Sequence, residues 1–127
     1  MTITAKDFKR VTKRRFTTEE IPGFGEVRIR SLSAREQYRM FEQIPEGPGS
    51  GFYQFAILAL WTLVDKKGGL LFPHEIDESG FPVFRDEDRE ELAQAERFVL
   101  TPLNNAIKKH LRLIEDEEID EETKEKN

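Results

Sequence analysis

The stretch Phe52–Val64, FYQFAILALWTLV, constrains the fold of this chain more than any other feature. Only Gln54 and Thr62 interrupt its apolar character. A membrane-spanning helix needs about 20 apolar residues, so the stretch is too short to cross a bilayer. A buried strand usually has about 4–8 residues, so the stretch is too long for a strand. We therefore predict a central helix over 52–65, and because this helix is apolar on two faces, other elements must cover it on two sides.

The composition is typical of a folded protein without cysteine. The chain has 127 residues, of which 37% are hydrophobic and 35% are charged. This length predicts one domain, which we place at 1–115. Without cysteine the chain cannot form disulfides, thiolate nucleophiles or cysteine–zinc sites. It has no apolar segment of the signal-peptide type, so we expect a soluble protein of the cytoplasm.

The charges are distributed unevenly along a chain whose formal net charge is −5. Residues 115–127 carry eight acidic side chains against two lysines. Such a segment cannot bury enough apolar surface to offset its ordering entropy, so we predict a disordered acidic tail over 116–127. The opposite sign dominates near the start, in the basic cluster Lys6, Lys9, Arg10, Lys13, Arg14 and Arg15.

The basic cluster has more than one interpretation. It could contact nucleic-acid phosphates, but the chain is acidic overall and no RRM, zinc-finger or recognition-helix motif accompanies the cluster. A solvated face, or an electrostatic contact with the acidic tail or with an acidic partner, is favoured. Nucleic-acid binding remains the minor alternative.

The first part of the chain predicts a short helix and a β-hairpin. Thr4 can cap a helix over 5–12. The glycine-rich turn Pro22–Gly25 is followed by an alternation of apolar and polar residues, which is typical of a half-buried strand. We therefore predict a hairpin at about 16–32. It must pack on other elements, because two strands alone are marginally stable in water.

A capping box marks the next helix. Ser33 and Glu36 have the spacing of this motif, so the helix begins at Ala34. Its apolar residues, Tyr38 and Phe41 among them, follow at helical spacing.

The second half of the chain predicts helices around an irregular segment. Residues 70–85 contain two prolines and a glycine among apolar side chains, and we expect an irregular excursion that could include one turn of helix after Pro73. A helix resumes at Asp86 or at the next residue. Thr101 caps the last helix, with Pro102 at its first position. The predicted fold class is mainly α, with about four to five helices around the central helix and one small β-hairpin.

The sequence contains no pattern that indicates an active site. His74 and His110 lie in different predicted elements, and neither has a second histidine at metal-ligand spacing. The acidic clusters lack the ligand spacing of an EF-hand loop. The glycine turns do not continue into a phosphate-binding loop, and no G-x-S-x-G elbow is present. We therefore predict no catalytic residue, no metal site and no cofactor, and a protein that is not an enzyme.

An ordered series of short motifs connects the chain to a known family. The series comprises a short N-terminal helix before Lys13-Arg14-Arg15, the turn Pro22–Gly25, the strand Val27–Ser33 leading to Glu36, the apolar helix closing on Leu63-Val64-Asp65, Phe84 before Asp86-Glu87-Asp88, and Lys126-Asn127 after an acidic run. In this order of motifs the chain resembles the tail assembly chaperones of long-tailed bacteriophages and prophages. Residues 70–85 depart from the family, because they look longer than a simple turn.

The resemblance implies a role in phage tail assembly. Members of the family bind the long helical tape-measure protein, keep it soluble and help to recruit tail-tube subunits. The implied partners are therefore the tape-measure protein and the tail-tube protein, with self-association as an option and with no membrane. The resemblance also implies that the protein acts in the cytoplasm of the bacterial host and is absent from the finished virion.

A chaperone of this kind needs apolar surface that accepts an amphipathic helix. We predict partner-binding residues on the last helix and among the aromatic residues of 70–85, namely Leu103, Ile107, Leu111, Phe72, Phe81 and Phe84. The alternative is that these side chains form the core. Two other functions stay open, namely a structural head–tail connector or minor tail protein, and a small nucleic-acid-binding regulator.

Overall fold

The computed structural model describes residues 2–11, 13–48, 50–95 and 97–112. Its helices are α1 (Ala5–Val11), α2 (Ala34–Glu42), α3 (Ser50–Thr62), α4 (Asp86–Ala93) and α5 (Arg97–Leu111). Its strands are β1 (Phe16–Ile21), β2 (Gly25–Arg30), β3 (Leu63–Val64), β4 (His74–Ile76) and β5 (Pro82–Phe84). The predicted disordered tail, 116–127, lies outside the described residues.

The prediction of a mainly α fold is wrong, because the structure is a mixed α/β fold. Helix accounts for about 46% and strand for about 20% of it. β1, β2 and β3 form an antiparallel sheet in that order, and β4 pairs with β5 in a second antiparallel sheet. The sequence predicts the first hairpin but not β3, β4 and β5. These strands have only two or three residues each, too few for an alternating pattern to show.

The predicted N-terminal hairpin is confirmed. β1 and β2 pair from Phe16 opposite Arg30 to Ile21 opposite Gly25. In the turn, Gly23 and Gly25 have φ angles of 91° and 84°, which glycine adopts without a steric penalty. Ile21 is 4% exposed and belongs to the core, so the hairpin is packed on the rest of the protein.

The central helix begins two residues earlier and ends three residues earlier than the predicted range 52–65, and it leads directly into a strand. α3 ends at Thr62, and Leu63–Val64 forms β3 instead of continuing the helix to residue 65. β3 pairs with β2 so that Leu63 lies opposite Ile29. Helices and sheet thereby share one core, which contains Ile21, Ile29, Met40, Ile57, Leu58, Ala59, Leu60, Trp61, Leu63, Leu103 and Ile107.

α2 begins at its predicted capping box, but its aromatic face points outward. The Ser33 hydroxyl accepts from the Glu36 amide at 3.1 Å, and the Glu36 carboxylate accepts from the Ser33 amide at 2.8 Å. Met40, four residues after Glu36, is fully buried. Tyr38 and Phe41 are 72% and 39% exposed. Because residues four apart share a face of a helix, Glu36 and Met40 define the inward side of α2.

Residues 70–85 form a second hairpin in place of the predicted irregular segment with a helical turn. β4 and β5 pair with His74 opposite Phe84. Asp77 closes the turn, where its backbone N–H donates to the carbonyl of Phe81 at 2.9 Å. The hairpin therefore covers part of the core with its aromatic side chains, Phe81 and Phe84.

The C-terminal helices divide at a different point from the predicted one. α4 begins at Asp86 as predicted, but α5 begins at Arg97 and continues through Pro102. A proline inside a helix removes one N–H and thus one hydrogen bond. Leu103 and Ile107 are buried just beyond it, and this packing offsets the loss. None of the helices in the described ranges is long and apolar enough to cross a membrane.

Candidate functional site

The predicted partner-binding residues of α5 lie in the core or against it. Leu103 and Ile107 are 2% and 1% exposed. Leu111 is partly buried and packs against the same cluster. The apolar stripe of α5 faces α3, β1 and β2. Leu103 and Ile107 therefore present no free apolar surface in this structure.

The three predicted aromatic residues cover the core from the side of the second hairpin. Phe72, Phe81 and Phe84 are all partly buried. The ring centroids of Phe81 and Phe84 lie 6.2 and 6.3 Å from that of Trp61, in tilted and edge-on arrangements that aromatic pairs favour. Phe84 also lines a surface cleft between β4 and β5, and Phe81 lines a cleft beside α2.

This surface cleft, which we call the α2 cleft, has a volume of about 420 Å³. It is lined by Ala34, Arg35, Tyr38, Arg39, Glu42 and Phe81. Tyr38 is largely exposed, and Phe41 follows it one turn later on the outward face of α2. Exposed aromatic side chains are enriched on surfaces that bind a partner. The α2 cleft is therefore our candidate functional site.

Two arginines give the α2 cleft a positive rim. The guanidinium carbons of Arg35 and Arg39 lie 5.6 and 5.8 Å from the ring centroid of Phe81, within the range of cation–π contacts. Arg39 also donates to the Asp77 carboxylate at 3.1 Å. Arg35 forms no ion pair with any residue that the structure describes. The cleft thus combines aromatic surface with charges of both signs, because Glu42 also lines it.

An ion cluster around Glu36 fixes α2 to the sheet. Arg14 Nη2 and Arg30 Nη1 lie 2.8 and 3.6 Å from Glu36 Oε2. Arg30 Nε also donates to the carbonyl of Trp61 at 2.7 Å. Burial by itself raises the pKa of Glu36, but hydrogen bonds from Arg14 and from the Ser33 backbone, with the charges of both arginines, hold it below the usual value. Glu36 therefore stays ionised and keeps α2 in place.

Asp77 fixes the position of Phe81 at the cleft. Its Oδ1 atom accepts from the amides of Ser79 and Phe81, each at 2.9 Å. The bond from Phe81, together with those from Arg39 and Ser79, lowers the pKa of Asp77. One carboxylate thus holds the turn between β4 and β5 and links this turn to α2.

The residues of the basic cluster have different roles in the structure. Arg14 belongs to the ion cluster around Glu36. Arg15 Nη2 donates to the carbonyl of His110 at 3.0 Å and so joins the start of β1 to the end of α5. Lys6 and Lys13 are exposed, and neither pairs with an acid in the described part of the chain.

Both histidines contact backbone carbonyl groups. His74 Nδ1 lies 3.1 Å from the carbonyl of Phe72, and His110 Nε2 lies 3.2 Å from that of Arg15. Burial lowers the pKa of His110, while its contact with Arg15 acts in the opposite direction. Within the ranges that the structure describes, no group of three His, Cys, Asp or Glu side chains could hold a metal ion.

The α2 cleft does not follow from the sequence, which shows the apolar spacing of α2 but not the outward orientation of its aromatic residues. The inward side carries a different pattern, in which Met40 is followed three residues later by Gln43. The Gln43 side chain accepts a hydrogen bond from the indole N–H of Trp61 at 3.0 Å. Gln43 thus supplies the hydrogen-bond acceptor that the N–H of a buried tryptophan needs. This pairing becomes apparent only in the tertiary structure.

Comparison of the chain with protein-family models, curated proteins and solved structures found no match. The candidate site therefore rests on its own geometry.

Proposed function

We propose that this protein is a tail assembly chaperone of a long-tailed bacteriophage or prophage, which binds the tape-measure protein, keeps it soluble and helps to recruit tail-tube subunits. The order of motifs in the sequence supports the proposal through its resemblance to that family. The structural observation that carries it is the exposed aromatic face of α2, where Tyr38 is 72% and Phe41 39% exposed. In this proposal the protein acts in the host cytoplasm and is absent from the finished virion.

A helical partner could bind this face by a known mode of recognition. An amphipathic helix lays its apolar stripe into a groove, and its i, i+3 and i+4 residues serve as anchors. At about 25 cal/mol per Å², roughly 300 Å² of buried apolar surface contributes several kcal/mol before ordering costs are subtracted. Such an affinity suits reversible holding of a long protein at many sites.

The test is co-expression with the long helical protein encoded downstream of the gene, followed by capture on a tag at Met1. We expect the partner to co-purify and to be soluble only in the presence of this protein. The double variant Tyr38→Ser, Phe41→Ser should retain at most a tenth of the captured partner, with an unchanged circular dichroism spectrum because both side chains are exposed.

Phe52→Ser provides the matched control, because Phe52 is 63% exposed but lies on α3, outside the α2 cleft. This variant should capture the partner normally. Loss of capture by Phe52→Ser but not by the double variant would move the binding site away from α2. A partner that is soluble alone and never co-purifies would refute chaperoning. Presence of the protein in purified particles would then favour a structural connector or minor tail component.

A further inference from the structure

One residue of the basic cluster near the start of the chain, Arg15, lies beside the end of α5. Arg15 Nη2 donates to the carbonyl of His110 at 3.0 Å, and His110 Nε2 lies 3.2 Å from the carbonyl of Arg15. These reciprocal contacts join residues that are 95 positions apart in sequence. The last turn of α5 is basic as well, with Lys108 and Lys109 followed by Arg112. Arg15 therefore brings the C-terminal end of the basic cluster to the basic last turn of α5.

The sequence that follows Arg112 has the opposite charge. Residues 113–127 contain eight acidic side chains and two lysines. The acidic sequence thus starts next to the contact between Arg15 and the last turn of α5. At low ionic strength, the attraction between these acidic side chains and the neighbouring basic ones favours contact between the two segments.

Several positive charges that precede Arg15 in the chain are available to an acidic ligand. Lys6 and Lys13 are exposed and form no ion pair with any described residue. Arg10 lies 3.8 Å from Asp7 but keeps 75% of its side chain exposed. Of the acids on neighbouring elements, Glu36 is already engaged with Arg14 and Arg30, and Glu19 of β1 acts on His110. Positive charge is therefore in excess on this surface.

The acidic sequence is long enough to cover the basic cluster. An extended chain spans roughly 3.3 Å per residue, so residues 113–127 can reach about 50 Å. Lys13 is two residues from Arg15 and therefore at most about 7 Å away along the chain, and Lys6 is at most about 30 Å away. Tethering within one chain gives an effective concentration on the order of millimolar, so several individually weak ion pairs are sufficient.

We propose that the acidic residues 113–127 bind the basic cluster of the same chain, so that the protein carries its own competitor for acidic ligands. The contact pairs carboxylates with the ammonium groups of Lys6 and Lys13 and with exposed guanidinium groups. It masks a basic surface that suits polyanions. This inference does not depend on the proposed role in tail assembly.

The first test is zero-length crosslinking of the full-length chain with a carbodiimide, which joins a carboxylate to a nearby lysine amine. A mixture of isotope-labelled and unlabelled chains distinguishes contacts within one chain from contacts between two. We expect amide links from Glu115–Glu125 to Lys6 or Lys13 within one chain. They should be lost in 1 M NaCl, where charges are screened beyond about 3 Å. Links only to other lysines, such as the exposed pair Lys66 and Lys67, or only between chains, would overturn the proposal.

The second test measures competition with a fluorescein-labelled oligothymidylate of about 20 nucleotides as the polyanion. The tail variant carries E115Q, D116N, E117Q and E118Q in the full-length chain. The control carries E46Q, E75Q, E78Q and E91Q, four exposed acids on other elements, so its net charge is the same. We expect the tail variant to bind the oligonucleotide at least tenfold more tightly than the control at low salt.

Adding K6Q and K13Q to the tail variant should abolish this gain in affinity. Equal binding by the tail variant and the control would show that net charge alone is responsible and would overturn the proposal. So would a tail variant that does not bind the oligonucleotide at all, because an unmasked basic cluster must bind a polyanion.

Discussion

At the scale of single residues, Glu36 combines a helix-capping hydrogen bond with two ion pairs. Its side chain, 14% exposed, closes the capping box and pairs with two arginines. Arg30 is nearly buried, and burial together with the charge of Arg14 lowers its pKa, while Glu36 acts in the opposite direction. A buried guanidinium without a counter-charge is costly. The position of α2, and with it the α2 cleft, therefore depends on the Glu36 carboxylate.

Glu36→Gln should lower the free energy of unfolding by about 2 kcal/mol, because the amide keeps the capping bond but leaves Arg30 without its counter-charge. Chemical denaturation at neutral pH measures the change. Glu42→Gln, on the same helix but exposed, is the control and should stay within about 0.5 kcal/mol of the unsubstituted chain. Equal stabilities of the two variants would contradict the role of the ion cluster.

The same carboxylate predicts a dependence of stability on pH. The pKa of Glu36 is lower in the folded chain than its usual value of about 4.3. Its contribution to stability is therefore complete above that value and is lost as the pH falls through the folded pKa. From about pH 5 to pH 3, the free energy of unfolding of the unsubstituted chain should decrease more than that of Glu36→Gln. Parallel pH profiles of the two chains would rule out this contribution.

Leu103 tests whether the apolar stripe of α5 is core or binding surface. Leu103→Ala should lower the free energy of unfolding by about 2–5 kcal/mol, because it leaves a cavity beside α3. Leu111→Ala should cost less, because Leu111 is only partly buried. Thermal unfolding followed by circular dichroism measures both. If the Leu103→Ala variant keeps its stability but no longer captures the partner, Leu103 belongs to the binding surface and not to the core.

At the scale of elements, the second hairpin depends on one carboxylate. Asp77→Ala removes the acceptor of the Ser79 and Phe81 amides and the ion pair to Arg39. We expect faster hydrogen exchange at both amides and a red shift in the emission of Trp61, because Phe81 leaves its side. Asp77→Asn keeps an acceptor oxygen but loses the charge, so it should protect the amides better than alanine. Unchanged exchange in Asp77→Ala would show that β-pairing alone holds the turn.

The elements that the sequence predicts well are those with a local signal. The capping box at Ser33 fixes the start of α2, and the acidic first turn fixes the start of α4 at Asp86. The turn around Gly23 fixes the first hairpin. Each signal depends on residues within about one turn of one another, so it survives without knowledge of the tertiary structure.

The elements that escape prediction depend on distant partners. Leu63 forms part of a strand because it pairs with Ile29 of β2. No local sequence pattern predicts this pairing. The helix α5 extends back past Pro102 because its apolar residues are buried on α3 and the sheet. Likewise, the aromatic spacing on α2 is visible in the sequence, but Met40 takes the inward position and leaves Tyr38 exposed. Of the candidate site, therefore, only Phe81 follows from the sequence.

At the scale of the whole molecule, the sheet and the helices should unfold together. Ile29 in the central strand is completely buried and belongs to the same cluster as Trp61 of α3. We predict one transition in which tryptophan fluorescence and far-ultraviolet circular dichroism coincide. Ile29→Val should shift both probes equally, by about 0.5–1.5 kcal/mol. Two separate transitions would mean that residues 1–115 do not form the single domain that the sequence predicts.

The direct passage from α3 into β3 limits where the length of this chain can change. One residue added between Thr62 and Leu63 would rotate the helix by about 100° relative to the strand and exchange the two faces of β3. No loop is present at this junction to absorb the change. Insertions, such as an epitope or a labelled peptide, belong instead in the exposed turns at 45–48 and 66–67. Natural chains of this fold should vary in length at those turns and keep a constant spacing from α3 to β3.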